Sequence, residues 1–225
     1  MARQSPELDG RTEHDVGVVL AATLTLLGLI IGFSFSMAIS RYDQRKNFEE
    51  AEANSIGTEF VRADLLPAED AGRVRLLLKR YLEQRVRFYT ARNGNELQGI
   101  KSTTDQLQID LWAAVRGPAD AHPTPLVALV VSGMNDVLNS QGYTQAAWWN
   151  RIPMAAWALM ILIAVLSNVL IGFSSPKPHS HRALLLVLPV VLSISFFLIA
   201  DIDSPRRGII HVVPQNLLSV ADSLR

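Results

Sequence analysis

The chain of 225 residues contains no cysteine, which removes a disulfide framework, a thiolate nucleophile and any cysteine-ligated zinc site, and leaves redox chemistry silent about compartment. It has no excess of either charge: 21 Lys and Arg balance 21 Asp and Glu, so there is no broad basic field for nucleic acid and no acidic field for cationic partners. Nucleic-acid binding is set aside on that ground. Catalytic signatures are missing too. There is no P-loop, no dinucleotide fingerprint, no Gly-x-Ser-x-Gly and no His-Glu-x-x-His. The histidines His14, His122, His179, His181 and His211 make no ligand pattern with nearby carboxylates. Glu49, Glu50, Glu52 and Glu59 lack the Glu-x-x-His companion that carboxylate metal sites of helical bundles use. No cofactor, no metal and no enzymatic activity is expected.

What the chain does have is apolar sequence in blocks. Hydrophobic residues make up 49% and mean hydropathy is +0.20, and the excess is concentrated in three runs nearly free of charge. Residues 16–39 carry no charged side chain, and at about 1.5 Å per residue they reach roughly 36 Å, enough to span a bilayer with some tilt. The run is far longer than the apolar core of a signal peptide, so an uncleaved helix over 16–40 is expected. A second span is expected at 151–174, with Pro153 in its first turn, Asn168 inside it, and Trp148, Trp149 and Trp157 as an interfacial belt. A third is expected at 183–203. There Pro189 removes one backbone hydrogen bond, and Ser193 is placed to satisfy the freed carbonyl. The link 175–182 is so short that the last two spans form an antiparallel hairpin.

The expected fold class is therefore all-α: an integral membrane protein with three transmembrane helices and a helical water-exposed domain, residues 41–150, inserted between the first and second. Residues 1–15 form a polar N-terminal tail and 204–225 a C-terminal tail. Within the inserted domain the first helix continues to about Leu66 and ends at Pro67. A second runs to about Arg92 and stops at Asn93-Gly94. A third covers 95–116, closed by Gly117-Pro118, and a fourth covers 126–149 after the loop 119–125. Three crossings put the central domain and the C-terminal tail on one side. Arg41, Arg45 and Lys46 follow the first span, whereas Arg3 and Arg11 precede it among Glu7, Asp9, Glu13 and Asp15. A cytoplasmic central domain of a multi-pass cell-membrane protein is expected on that asymmetry.

Two stripes mark the first span. Gly28, Gly32 and Ser36, followed by Ser40, recur every four residues and form a face of small side chains, suited either to packing on the hairpin of the same chain or to a contact with another subunit. Thr25, Leu29 and Phe33 form the adjacent stripe, which periodicity alone reads as ordinary core or lipid-facing surface. At the domain-side ends of the first and third spans stand Arg41 and Asp43, and Asp201 and Asp203. Ionisable groups at that level are costly unless paired, so an interfacial Arg41–Asp201 charge pair is expected.

Several stretches carry a resemblance. The segment GFSFSMAISRYDQRKNFEEA at 32–51, Ile152-Pro153 with Trp157, and the DSPRRG turn at 203–208 followed by an extended VVPQNLL tail together resemble a mostly bacterial family of bestrophin-like membrane proteins. Its typical members have a further membrane helix before the first span seen here, where about 15 polar residues stand instead. More distantly, Gly32 and Phe33 with Arg41 and Tyr42 are similar to the pore helix of the bestrophins, which are pentameric anion channels. That similarity implies a pore constriction at Thr25, Leu29 and Phe33, a homo-oligomer in the lipid bilayer, and inorganic anions as the permeant partners. The alternative is a non-conducting membrane scaffold or sensor that binds a partner through its helical domain.

Overall fold

Prolines stand at 6 and 67 with none between, and one helix fills almost the whole interval. The computed structural model describes residues 6–173 and 182–224, with side chains described over 15–172 and 186–224. The described residues form seven α-helices and one 3₁₀ turn, without a strand: α1 (Pro6–Arg62), the turn Ala63–Leu65, α2 (Ala68–Thr90), α3 (Gly94–Ala121), α4 (Pro125–Trp149), α5 (Met154–Phe173), α6 (Arg182–Asp203) and α7 (Gln215–Ser223). Helical stretches long and apolar enough to cross a membrane lie in Asp15–Leu65, Pro125–Gly172 and Leu186–Asp203. Only 6%, 22% and 22% of their most apolar windows is buried within the chain, so something outside it must cover the rest. His179 and His181 lie outside the described residues.

The chain divides into two units, residues 1–40 with 151–203, and residues 41–150 with 204–225. In the first, Leu27, Ile30 and Ile31 of α1 meet Ile163 and Ala164 of α5 and Leu188, Leu192 and Phe196 of α6. Polar side chains here bond back to their own helices: Ser167 donates to Ile163 O at 2.8 Å and Asn168 to Ala164 O at 2.7 Å. Ser193 does the same, donating to the carbonyl of Pro189 itself at 2.8 Å rather than to the one the proline frees. Trp157 sets its ring edge-on to Phe196 at 6.4 Å.

In the second unit one core joins α1, α2, α3, α4 and α7, centred on Ile56, Val74, Leu78, Leu111, Val130, Met134 and Leu217. The local signals behave as sequence predicts at most ends. Asn93 caps α3 by accepting from Asn95 N at 3.1 Å, and Thr124 caps α4 by accepting from Val127 N at 3.2 Å, with Pro125 in its first turn. Three expectations are corrected. Gly117-Pro118 does not close α3. Pro118 sits in the last turn, where it forfeits one hydrogen bond, buries its ring, and still accepts from His122 N at 2.8 Å. The loop 119–125 therefore shrinks to 122–124. Trp148 is not an interfacial residue but a core one, 3% exposed, whereas Trp149 beside it is 72% exposed. Finally, the VVPQNLL segment is not extended throughout: Pro214 opens α7, and Leu217 is fully buried in this core.

Candidate functional site

Along α1 the buried positions are Leu27, Ser34 and Ala38 in the first unit and Arg45, Glu49, Glu52, Ala53, Ile56 and Glu59 in the second. Within each unit they recur at helical spacing, so each unit buries one face, or seam, of α1. Its chemistry changes part-way. Through the apolar run the seam is aliphatic and small; beyond Arg41 it is charged.

In the first unit the predicted stripes lie off the seam. Leu29 is 54% and Phe33 63% exposed, and Thr25 and Ser36 are exposed as well. The Thr25 hydroxyl donates to Ala21 O at 2.8 Å, so the helix itself satisfies its donor. A Cβ added to Gly28 or Gly32 would meet no heavy atom within 4 Å. The small-residue face is thus open within the chain, and Leu27, Ile30 and Ile31 make the contact with α5 and α6 instead. Arg41 and Asp201 belong to different units.

The charged half of the seam builds a polar core inside the second unit. Arg45, 1% exposed, donates to Ala147 O at 3.2 Å and Asn150 O at 3.3 Å, so its guanidinium closes the last turn of α4. Glu49 accepts from Asn216 Nδ2 at 2.6 Å and Leu217 N at 2.9 Å, which pins the first turn of α7. Glu52 is fully buried and pairs with the Arg85 guanidinium through Nε and Nη2; it also accepts from Tyr89 Oη at 3.4 Å and Thr144 Oγ1 at 3.2 Å. Burial works against the Arg85 charge and Glu52 works for it; the balance holds Arg85 above its ordinary value. Burial first, and the Glu52 charge second, push the Tyr81 and Tyr89 phenols up, so both stay neutral.

Glu59 differs. It is fully buried, yet neither carboxylate oxygen has a hydrogen-bond partner. Burial pushes its carboxyl from 4.5 up to about 8, with Arg62 acting to lower it and Asp136 to raise it.

The DSPRRG turn explains itself through its two ends. Asp203 accepts from Ile152 N with both oxygens, at 3.2 and 3.1 Å, and so fixes the chain just before α5. Arg206 donates to Phe88 O at 2.7 Å and Ala91 O at 3.1 Å, closing the C-terminus of α2. Its guanidinium lies 4.5 Å from the Phe88 ring centre and 4.3 Å from that of Trp148, while Arg85 lies 4.5 Å from Phe88 as well. Phe88 is in contact with two cations.

A family model for the bestrophin-like domain matches residues 2–217. The chain belongs to the bestrophin-like family. Its fold is that of a bacterial bestrophin homolog from Klebsiella pneumoniae: one structure of that protein gives a TM-score of 0.72 at 12% identity, covering 92% of this chain and 85% of that one. Two further structures of it give 0.70 at 12% identity, covering 91% and 87%, and 0.69 at 12%, covering 96% and 93%. At that identity the likeness concerns the fold. No curated protein sequence matches the chain. The bestrophin-like reading of the sequence holds, and the fold is all-helical among the described residues, as expected. Sequence reasoning missed the buried set Arg45, Glu49, Glu52, Glu59 and Arg85, along with the capping roles of Asp203 and Arg206.

Proposed function

We propose that this bestrophin-like chain is one subunit of an oligomeric membrane channel for inorganic anions, with the apolar part of α1 lining the pore. Residues 16–40, 151–174 and 183–203 are its three crossings, and residues 41–150 are its cytoplasmic domain. Thr25, Leu29 and Phe33 form the constriction, and Gly28, Gly32 and Ser36 the contact with the neighbouring subunit. The observation that carries this reading is the disposition of α1. Leu27, Ile30 and Ile31 engage α5 and α6, while the Thr25–Leu29–Phe33 stripe and the adjoining glycines are left open by the described residues. One subunit's three spans cannot enclose an aqueous path. An aromatic and aliphatic ring repeated around a symmetric assembly can, and it would gate by dewetting.

Anion flux into liposomes carrying the purified protein tests this, with Phe33→Ala beside the wild type. The expected result is a several-fold higher flux in the variant, since truncating the ring widens the dry constriction. A monomeric protein, or intact inserted oligomers that conduct in neither form, would sink the channel and leave a non-conducting scaffold whose helical domain binds a partner.

A further inference from the structure

Three buried carboxylates stand on the seam of α1 within the second unit, and two of them are fully served. Glu49 takes a backbone and a side-chain amide, and Glu52 takes a guanidinium and two hydroxyls. The third, Glu59, is as deeply buried and has no donor on either oxygen. An ionised carboxylate without a hydrogen bond in such a place is expensive, and the group escapes the cost by taking up a proton. The fold makes room for it specifically. A Cβ on Gly133 of α4 would run into Oε2 of Glu59 and Nη1 of Arg62, so these two side-chain ends occupy the space that glycine leaves on α4. Alongside is a cleft of about 220 Å³ lined by Asn54, Ser55, Thr58, Arg62, Gly133 and Asp136.

We propose that Glu59 is a proton-binding site: neutral, it lets α1 and α4 close over it at Gly133, and ionised, it loosens that packing, so that pH sets how tightly the two helices are held. The charged groups that act on it are Arg62 on its own helix and Asp136 on α4. Losing the proton puts a second negative charge near Asp136 and leaves a bare carboxylate, beside Arg62, against the backbone of α4 at Gly133. The carboxyl titrates at about 8, within the range a cell can reach. The sign follows from linkage. Between 4.5 and about 8 the folded chain holds a proton that the unfolded chain does not, so stability is greatest below that window and falls as pH rises through it, up to tenfold in the unfolding constant per pH unit.

The site lies outside residues 16–40, 151–174 and 183–203, the proposed crossings, and its readouts do not require conduction. Infrared difference spectra of the full chain in lipid should show the carbonyl stretch of a protonated carboxylic acid that disappears near pH 8 and is absent from Glu59→Gln. Amide hydrogen exchange in α4 around Gly133, corrected for its intrinsic pH dependence, should rise several-fold over the same range in the wild type and stay flat in Glu59→Gln. A wild-type spectrum with no such band above pH 6 overturns the proton site. Equal pH dependence of exchange in both proteins overturns the loosening. If Glu59→Gln does not fold, the exposed Asp136→Asn carries the test. Removing that charge must lower the midpoint, and an unmoved midpoint overturns the assignment.

Discussion

Replacing Arg85 by Met should be among the most damaging single changes in the second unit. Arg85 is 1% exposed and Glu52 fully buried, and the guanidinium binds the carboxylate through two nitrogens. Met fills most of the stem's volume, so the loss is not a cavity. It is the stranding of the Glu52 charge with only Thr144 and Tyr89 as donors. Breaking one side of a buried pair costs about 3–5 kcal/mol, a large share of the roughly 5–15 kcal/mol that holds an ordinary domain together. Glu52→Gln strands the opposite charge and should cost somewhat less, because the Phe88 ring 4.5 Å from the Arg85 guanidinium offsets part of the loss. The double variant has no stranded charge, and its amide oxygen still accepts from Thr144, so it should cost only about 1–2 kcal/mol. Urea unfolding of the full chain in detergent micelles, followed by tryptophan fluorescence, measures all three, since Trp148 reports from this same core. Single costs that simply add in the double variant, or an Arg85→Met cost below about 1 kcal/mol, would refute the assignment of this pair as a charge that needs its partner.

Asp203→Ala removes both acceptors from Ile152 N and should destabilise the start of α5 by about 1–2 kcal/mol, with Asp203→Asn recovering part of it because one oxygen remains; thermal unfolding of the purified protein in detergent reads the difference. Arg41→Ala should impair assembly, and a second change, Asp201→Asn, should restore it if the two form a charge pair at the interface; independent effects, read by size-exclusion of the oligomer, would remove that pair from the proposal.

The membrane helices and most helix ends could be read from the sequence because their causes are local. A charge-free run of 24 residues at 16–39 admits few other readings, and Pro67, Asn93 and Thr124 stop or start helices through the backbone of their immediate neighbours. Gly117-Pro118 misled because the signal is the same whether proline ends a helix or falls in its last turn. What decides between these is the burial of the Pro118 ring, a tertiary fact. Trp148 misled in the same way: beside Trp149 and near an apolar run it looks interfacial, and only its contacts with Phe88 and Tyr89 show otherwise.

The polar core was hidden for a deeper reason. In sequence Glu49, Glu52 and Glu59 suggest at most a metal site and Arg45 only an orientation, because charge on a helix normally faces water. Their partners are remote in sequence: Thr144 is 92 residues from Glu52, and Leu217 is 168 from Glu49. No local pattern reports such pairings. One signal was nevertheless present. The positions 45, 49, 52, 56 and 59 recur every three or four residues, the spacing of one buried helix face. Such spacing marks a buried face whatever its residues, and what the face can contain is set by its surroundings. In the apolar half, where helices associate by close van der Waals packing, it is aliphatic and small. In the other half water is the competitor, and charges stay buried where fixed donors replace it. Glu49 and Glu52 meet that condition. Glu59 does not, and it is the one seam carboxylate expected to carry a proton.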